Sequence, residues 1–288
     1  MKYLVIDVYA LAYRAFYGYP ELTNKDGKPT QVVVGFFKQV LSRVKDVHEY
    51  YPIFVADTHN DTYRKKLYPQ YKANRGKADD SFYEQIDTIL RLGSLIGTVY
   101  RQPGYEADDL AAAVVEAGKP EDEFLLVTVD ADWLQLLRSN VNVLQLKTNQ
   151  NHVLWTDEIF FKVWGFIPKQ LVDYKALLGD GSDNIPGISG VGDKQVNSLI
   201  KEFDSVENIY ANIIRVSNKR HLQERLIGAE AQVKLNKQLV TLNSNYEVEL
   251  SQVRAIETNK RNQFIDDFQA ATDSEDLTNL LGVYVQKR

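Results

Sequence analysis

The sequence predicts an α/β fold: a mostly parallel sheet with flanking helices, followed by a helical C-terminal part. Three observations carry that prediction. Short apolar runs ending in an acid alternate with stretches of helical period through the first 165 residues. Beyond that point the strand pattern stops, and residues 168–178, 194–203, 220–243 and 259–281 all read as helices. Between the first two of these lies a hairpin of closely spaced glycines, Gly187, Gly190 and Gly192. No linker rich in Pro, Gly or Ser separates the halves and no repeat is evident. One body with two parts is expected, residues 1–165 and 166–288.

In chain order, Lys2–Asp7 reads as a buried strand closing on an acid, and residues 10–18 as a helix carrying Arg14 among aromatics. Residues 24–29 form a turn. Residues 30–50 have helical period, with Val33, Phe36, Phe37, Val40, Leu41 and Val44 on one face. Pro52–Asp57 is a second acid-ended strand. Residues 61–77 hold six basic side chains against one acid, and a helix runs from about Ser81 to Ile96. Residues 98–101 make a further strand, and Gly104-Tyr-Glu-Ala-Asp-Asp109 opens an alanine-rich helix. Phe124–Asp130 is the clearest strand, again acid-terminated. Asp132 starts a helix, and residues 141–146 return to strand.

Composition narrows the chemistry. The 288 residues are 44% apolar and 25% charged, ordinary for a soluble globular protein. The absence of cysteine excludes disulfides, thiolate zinc sites and cysteine nucleophiles, and agrees with a reducing cytoplasm. The N-terminus does not read as a signal peptide and no apolar run reaches the length of a membrane span. The four histidines lie far apart, so a metal site would be built mainly from oxygen, which points to magnesium or manganese. A net charge of −5 disfavours nucleic acid only if it is evenly spread.

It is not evenly spread. In an open parallel sheet ligands sit beyond the carboxyl ends of the strands. Asp7, Asp57 and Asp130 close three predicted strands and should meet at that edge. Glu106, Asp108 and Asp109 start a helix, Asp132 lies two residues past a strand, and Asp180 and Asp183 flank the turn before the glycine hairpin. Singly, such acids cap helices or fill turns. Together they would repel unless cations lay among them. Two divalent ions about 3.5–4 Å apart suit phosphodiester hydrolysis. The glycines permit positive φ and close backbone approach, and the helix starting near Lys194 offers its N-terminus to phosphate.

These residues fall into blocks: Ile6-Asp7 with Tyr13-Arg-Ala-Phe-Tyr-Gly18; Asp57 with Thr62-Tyr-Arg64 and Tyr71-Lys-Ala-Asn-Arg75; Gly104–Asp109; Thr128-Val-Asp-Ala-Asp132; Leu178–Gly187 with Gly190-Val-Gly192 and Lys194. In that order and spacing the chain resembles the 5′-nuclease (flap endonuclease) family over nearly its whole length, especially the 5′→3′ exonuclease domain of bacterial DNA polymerase I and stand-alone phage 5′ nucleases. The resemblance implies a PIN-like nuclease core and a helix–three-turn–helix DNA-binding element. It places Asp7, Asp57, Glu106, Asp108 and Asp130 around one Mg²⁺, with Asp109 beside them, and Asp132, Asp180 and Asp183 nearer a second; Mn²⁺ is an alternative ion. It also implies a monovalent cation, such as K⁺, at the hairpin. Two residues depart from the family pattern: Val8 follows the first aspartate where glycine is usual, and Ala56 precedes Asp57 where phenylalanine is usual. Neither removes a carboxylate.

Segment 61–77, continuing into the helix to residue 96, corresponds to the gateway through which a 5′ arm passes. Lys72 and Arg75 are the candidate catalytic cations, aimed at charge developing on the scissile phosphate. Arg14, Arg64, Tyr71, Lys72, Arg75, Gly187, Gly190, Gly192 and Lys194 are the candidate DNA contacts, with Tyr68 and Tyr71 suited to stacking on an unpaired base. The bland alternative is a solvated basic helix. The expected protein is a monomeric, stand-alone cytoplasmic enzyme of bacterial or phage origin. It would act on DNA 5′ flaps and 5′ ends, leaving a 5′-phosphate and 3′-hydroxyl, with RNA/DNA primer junctions as further substrates. A PIN-type ribonuclease and a non-catalytic branched-DNA binder are the rival readings.

Overall fold

The computed structural model describes residues 1–44, 46–58, 62–147, 151–216, 220–250, 258–275, 277–279 and 281. Its centre is a six-stranded sheet of order β3-β2-β1-β4-β5-β6. The strands are β1 (Lys2–Asp7), β2 (Tyr51–Val55), β3 (Thr98–Tyr100), β4 (Glu123–Thr128), β5 (Val141–Gln145) and β6 (Val153–Trp155). All pairings are parallel except that of β5 with β6. Strand β6, with the helix that follows it, was not foreseen: three residues are too few to show a period of two.

The sheet is covered on both faces, which is why its inner strands read as continuous apolar runs rather than alternating ones. Successive side chains of β1 enter different layers. Tyr3 and Val5 join a core with Ile53, Leu126 and the alanine-rich helix, whereas Leu4 and Ile6 join one with Phe36, Phe54 and Phe268. The second layer is built from α1 (Val8–Gly18), α2 (Gln31–Arg43), α4 (Asp80–Ile96) and α12 (Thr258–Thr272). Both departures from the family pattern, Val8 and Ala56, are fully buried there.

The first layer joins α5 (Ala107–Glu116) to α6 (Asp157–Trp164), α7 (Leu171–Leu178), α8 (Asp193–Phe203), α9 (Val206–Ala211), α10 (Arg220–Gly228) and α11 (Glu230–Val240). One apolar core therefore runs from the sheet into the C-terminal helices. The short helix α3 (Tyr63–Leu67) completes the set used below.

Some boundaries differ from the sequence expectation. The helix expected over 30–50 ends at Arg43, because Asp46 takes a left-handed conformation (φ 50°) and Val47–Glu49 form a 3-10 turn; Lys45 lies outside the described residues. The helix at Asp132 is 3-10. The stretch 220–243 is two helices that meet at Ala229. Within 259–281, α12 ends at Thr272, and residues 276 and 280 lie outside the described residues, as does Asp61 of the basic segment.

Candidate active site

The chain order changes direction between the adjacent strands β1 and β4: β2 and β3 extend one side of β1, while β5 and β6 extend the far side of β4. A crevice at such a switch point is where open α/β sheets place ligands. Asp7 closes β1, and Asp130 follows β4 by two residues. With Asp57 and Asp108 they line a cleft of about 980 Å³ that also holds Lys72, Arg75 and Arg14.

Each acid is fixed by its own local structure. Asp7 is the N-cap of α1, accepting from the Ala10 N–H at 3.1 Å and from the Thr128 hydroxyl at 2.7 Å. Asp57 accepts from the Ala107 N–H at 2.7 Å, at the start of α5. Asp108 accepts from the indole of Trp133 at 2.7 Å. Asp130 accepts from the backbone N–H of Asp132 at 2.9 Å. The sequence reading held Thr128 only as part of a block and did not single out Trp133; neither was foreseen as a hydrogen-bond donor to these acids.

Burial and mutual repulsion disfavour charge on three of these carboxyls. Asp7 rises to about 7, chiefly through burial, with Asp57 and Asp130 adding to it against the Thr128 hydrogen bond. Asp57 rises through burial, with Glu106 opposing its charge and Lys72 favouring it. Asp108 rises well above its ordinary value for the same first reason, reinforced by Asp130, Asp7 and Asp57. Three buried carboxyls that resist ionising, with Asp130 lining the same cleft, are a donor set short of positive charge, and this chemistry fits a hard divalent cation held by oxygen.

The remaining acids are already held by ammonium and guanidinium groups. Lys72 Nζ lies 2.5 Å from Glu106 Oε2, and Arg75 lies 2.5 Å from Asp183. The Tyr71 hydroxyl donates to both Glu106 (3.0 Å) and Asp183 (3.1 Å). Burial alone would raise Glu106, but Lys72 and Arg64 outweigh it and hold the carboxyl near 2. Lys175, unforeseen, bridges Asp132 and Asp180, the latter at 2.7 Å, and keeps Asp180 near 2 despite burial. Among the described residues, no three of the acids converge as a ready-made ligand group. Lysines stand between them, with the Lys175 ammonium against Asp132 Oδ1 itself, and the buried Glu106 Oε1 makes no hydrogen bond but lies 3.6 Å from the Arg64 guanidinium. Asp132, Asp180 and Asp183 do not line the cleft itself. They adjoin it through Asp130 and Arg75.

Three sequence expectations require correction. Both Asp109 oxygens accept from the Arg64 guanidinium at 2.7 Å, one also accepts from the Asn243 N–H, and the side chain is fully buried. Asp109 is thus a counter-ion within the core and not a metal ligand. Arg64, 2% exposed, spends its remaining donors on the carbonyls of Leu239 and Thr241, so it cannot touch DNA and instead ties α3 to the end of α11. Tyr71 is 3% exposed and presents no face for a base to stack on; Tyr68 is half-buried.

The glycine element has the expected order, α7, a loop from Gly179 to Gly192, then α8. Its glycines do different work. Only Gly190 of the three has positive φ (71°). A Cβ on Gly187 would lie 1.9 Å from the Leu178 carbonyl, so close backbone approach is what requires glycine there. Gly192 is the N-cap of α8 with open space beside it, and Lys194 is exposed in the first turn. Arg225 donates to the Gly190 carbonyl.

Comparison with known proteins places this arrangement. Residues 2–165 match the family described as 5′-3′ exonuclease, N-terminal resolvase-like domain, and residues 166–263 match 5′-3′ exonuclease, C-terminal SAM fold. A 5′-3′ exonuclease of Aquifex aeolicus is 34% identical over 250 residues, covering 86% of this chain and 84% of that protein. The thermostable DNA polymerase I of Thermus thermophilus is 35% identical over 258 residues, covering 88% of this chain. The match spans only about three tenths of the polymerase relative's length. Among solved structures, a phage T5 5′-exonuclease with bound zinc superposes with a TM-score of 0.68 at 20% identity, covering 100% of this chain and 99% of that one. The catalytic core of Rad2 in complex with a DNA substrate gives 0.65 at 13% identity, covering 99% and 92%. With family matches running from residue 2 to residue 263 and relatives above 30% identical over most of its length, the chain belongs to the 5′-3′ exonuclease family.

Proposed function

We propose that this protein is a divalent-metal-dependent, structure-specific 5′ nuclease. It hydrolyses DNA phosphodiesters near junctions of a 5′ single strand with duplex and leaves a 5′-phosphate and a 3′-hydroxyl. The observation that supports this most is the shared cleft, in which Asp7, Asp57, Asp108 and Asp130 face Lys72 and Arg75. Asp7, Asp57, Glu106, Asp108 and Asp130 are the proposed holders of one Mg²⁺, and Asp132, Asp180 and Asp183 of a second, with Mn²⁺ as a substitute. Such ions, when bound, lower the pKa of an attacking water and offset charge on the leaving oxygen.

The chain's own residues bind and orient. Lys72 adopts a left-handed backbone (φ 53°), held there by its N–H bonding to the Asp183 carbonyl at 3.0 Å. That conformation costs about 1–2 kcal/mol. It accompanies an ammonium placed between Glu106 and the mouth of the cleft. Arg75, half-exposed, reaches from Asp183 toward the same opening. Both cations are proposed to meet the scissile phosphate, where preorganised charge is most effective. Tyr71 positions Glu106 and Asp183 rather than substrate. Lys194, the amides after Gly190 and a K⁺ on the hairpin carbonyls are proposed to grip duplex backbone, with Arg225 competing for the Gly190 carbonyl.

The test is cleavage of a labelled 5′-flap DNA with Mg²⁺, with a chelator, and by Asp130→Ala, beside plain single-stranded RNA. Cutting near the junction that the chelator abolishes is expected, and Asp130→Ala should lose more than the roughly 10–100-fold that outer-sphere changes cost. Preference for the RNA would make the protein a ribonuclease. Equal inertness of wild type and variant, with binding retained, would make it a branched-DNA binder.

A further inference from the structure

The cleft that gathers the acids also gathers three cations from three separate elements: Arg14 on α1, Arg43 at the end of α2, and Lys147 just past β5. Among the described residues none of the three makes an ion pair. Arg14 donates to the Gln39 side chain and, at 3.2 Å, to the carbonyl of Lys147, which fixes its guanidinium plane, while its Nε is buried with no acceptor. His152 packs beside them. It accepts the Lys147 N–H on Nδ1 at 3.2 Å, so the neutral ring carries its proton on Nε2, and that nitrogen too is buried and unpartnered. Each such orphan carries the desolvation cost of an unmade hydrogen bond.

The charges are as unbalanced as the orphaned donors. Burial lowers the Arg14 guanidinium, Tyr19 opposes this and Arg43 adds to it, while His152 is lowered by burial and then by Arg43 and Arg14. This is the mirror image of the carboxylate cluster: like charges gathered with no ion-pair partner among the described residues, here suited to an anion. Arg43 and Lys147 are exposed, so solvent and ligand reach them. A tetrahedral oxyanion accepts from several directions and suits a guanidinium fork beside an ammonium.

We propose that Arg14, Arg43 and Lys147 form a phosphate subsite that grips a nucleic-acid backbone phosphate other than the one placed at the acids. The subsite rests on the nuclease reading and extends it, since two fixed phosphates would set the angle at which a strand crosses the cleft. Sequence pointed to Arg14 alone, because Arg43 and Lys147 are 29 and 133 residues away from it along the chain.

The test uses Arg43→Gln, Lys147→Gln and the double variant; both side chains are exposed and neither makes an ion pair among the described residues, and the Lys147 ammonium lies 5.9 Å over the Trp155 ring. Binding of a fluorescent 5′-flap DNA is followed by anisotropy in chelator across a salt series, and thermal unfolding is recorded alongside. Each single variant should weaken binding several-fold and reduce the slope of log affinity against log salt by about 0.7–0.9, the value for one phosphate contact, with the melting temperature unchanged. Wild-type binding with unchanged slope and affinity in all three variants overturns the subsite and leaves the nuclease reading standing. Failure of the wild type to bind the flap overturns both. A parallel calorimetric titration with inorganic phosphate separates the sources: if the variants lose that anion while holding DNA as tightly as wild type, the site serves free phosphate and the backbone assignment is wrong.

Discussion

Arg64 and Asp109 show how a residue can sit inside a functional motif and do structural work. Their doubly hydrogen-bonded pair is buried on both sides, so removing one partner strands a charge in the core. Arg64→Ala or Asp109→Ala should lose about 3–5 kcal/mol of stability in urea unfolding. If either variant instead kept its stability and lost only metal binding, the structural assignment would be wrong. Asp7 behaves in the opposite sense. Its carboxyl is raised from 3.8 to about 7 in the folded protein, so the native state binds the extra proton between those values. Stability of the chelator-treated protein should therefore fall as pH rises from about 4 through 7, and melting curves at pH 5.5 and 8 check the sign. Glu106 and Asp180, both held near 2, act the other way, and what they contribute is lost only as the pH falls below about 4. A divalent ion added at pH 8 should restore much of the loss at Asp7, because it supplies the counter-charge that a proton supplies at low pH.

At the scale of one element, the loop between α7 and α8 shows why a run of glycines is not one signal. Gly187 is glycine because the Leu178 carbonyl comes within 1.9 Å of where its Cβ would be, whereas Gly192 has room. Gly187→Ala should destabilise the element by about 1–3 kcal/mol through forced backbone movement, and Gly192→Ala should be far milder. Comparable melting temperatures for the two would show that the close approach does not constrain the loop. The gateway teaches a related lesson. Its six basic residues look equivalent in sequence, but α3 faces inward through Arg64, Lys72 turns toward Glu106, and Arg75 stays at the cleft mouth. Helical spacing predicts a helix; which cation of a run points to a core acid depends on where that acid lies.

Across the whole molecule, a single apolar core extends from Tyr3 and Val5 in the sheet to Leu199 and Leu226 in the C-terminal helices. The α12 residues Phe264 and Phe268 close the opposite layer against Phe37. Neither half buries its apolar face without the other. Urea unfolding should therefore give coincident transitions by tryptophan fluorescence and far-ultraviolet circular dichroism. Two separated transitions would show that the halves are independently stable.

By itself the sequence determined the alternation of strands and helices, the helical C-terminal part, and the acids Asp7, Asp57 and Asp130 at one sheet edge. Strand ends and helix periods are local properties, and a parallel sheet fixes the side on which its carboxyl ends lie. The tertiary structure alone decided which charges pair. It sent Asp109 to Arg64, set Lys175 between Asp132 and Asp180, and brought Arg43 and Lys147 to Arg14 in the cleft that holds the acids. Those partners are separated by tens of residues or more in most cases, and no local period records them. What joins them is the packing of layers around the β1–β4 switch point, where a buried charge must find its complement in space.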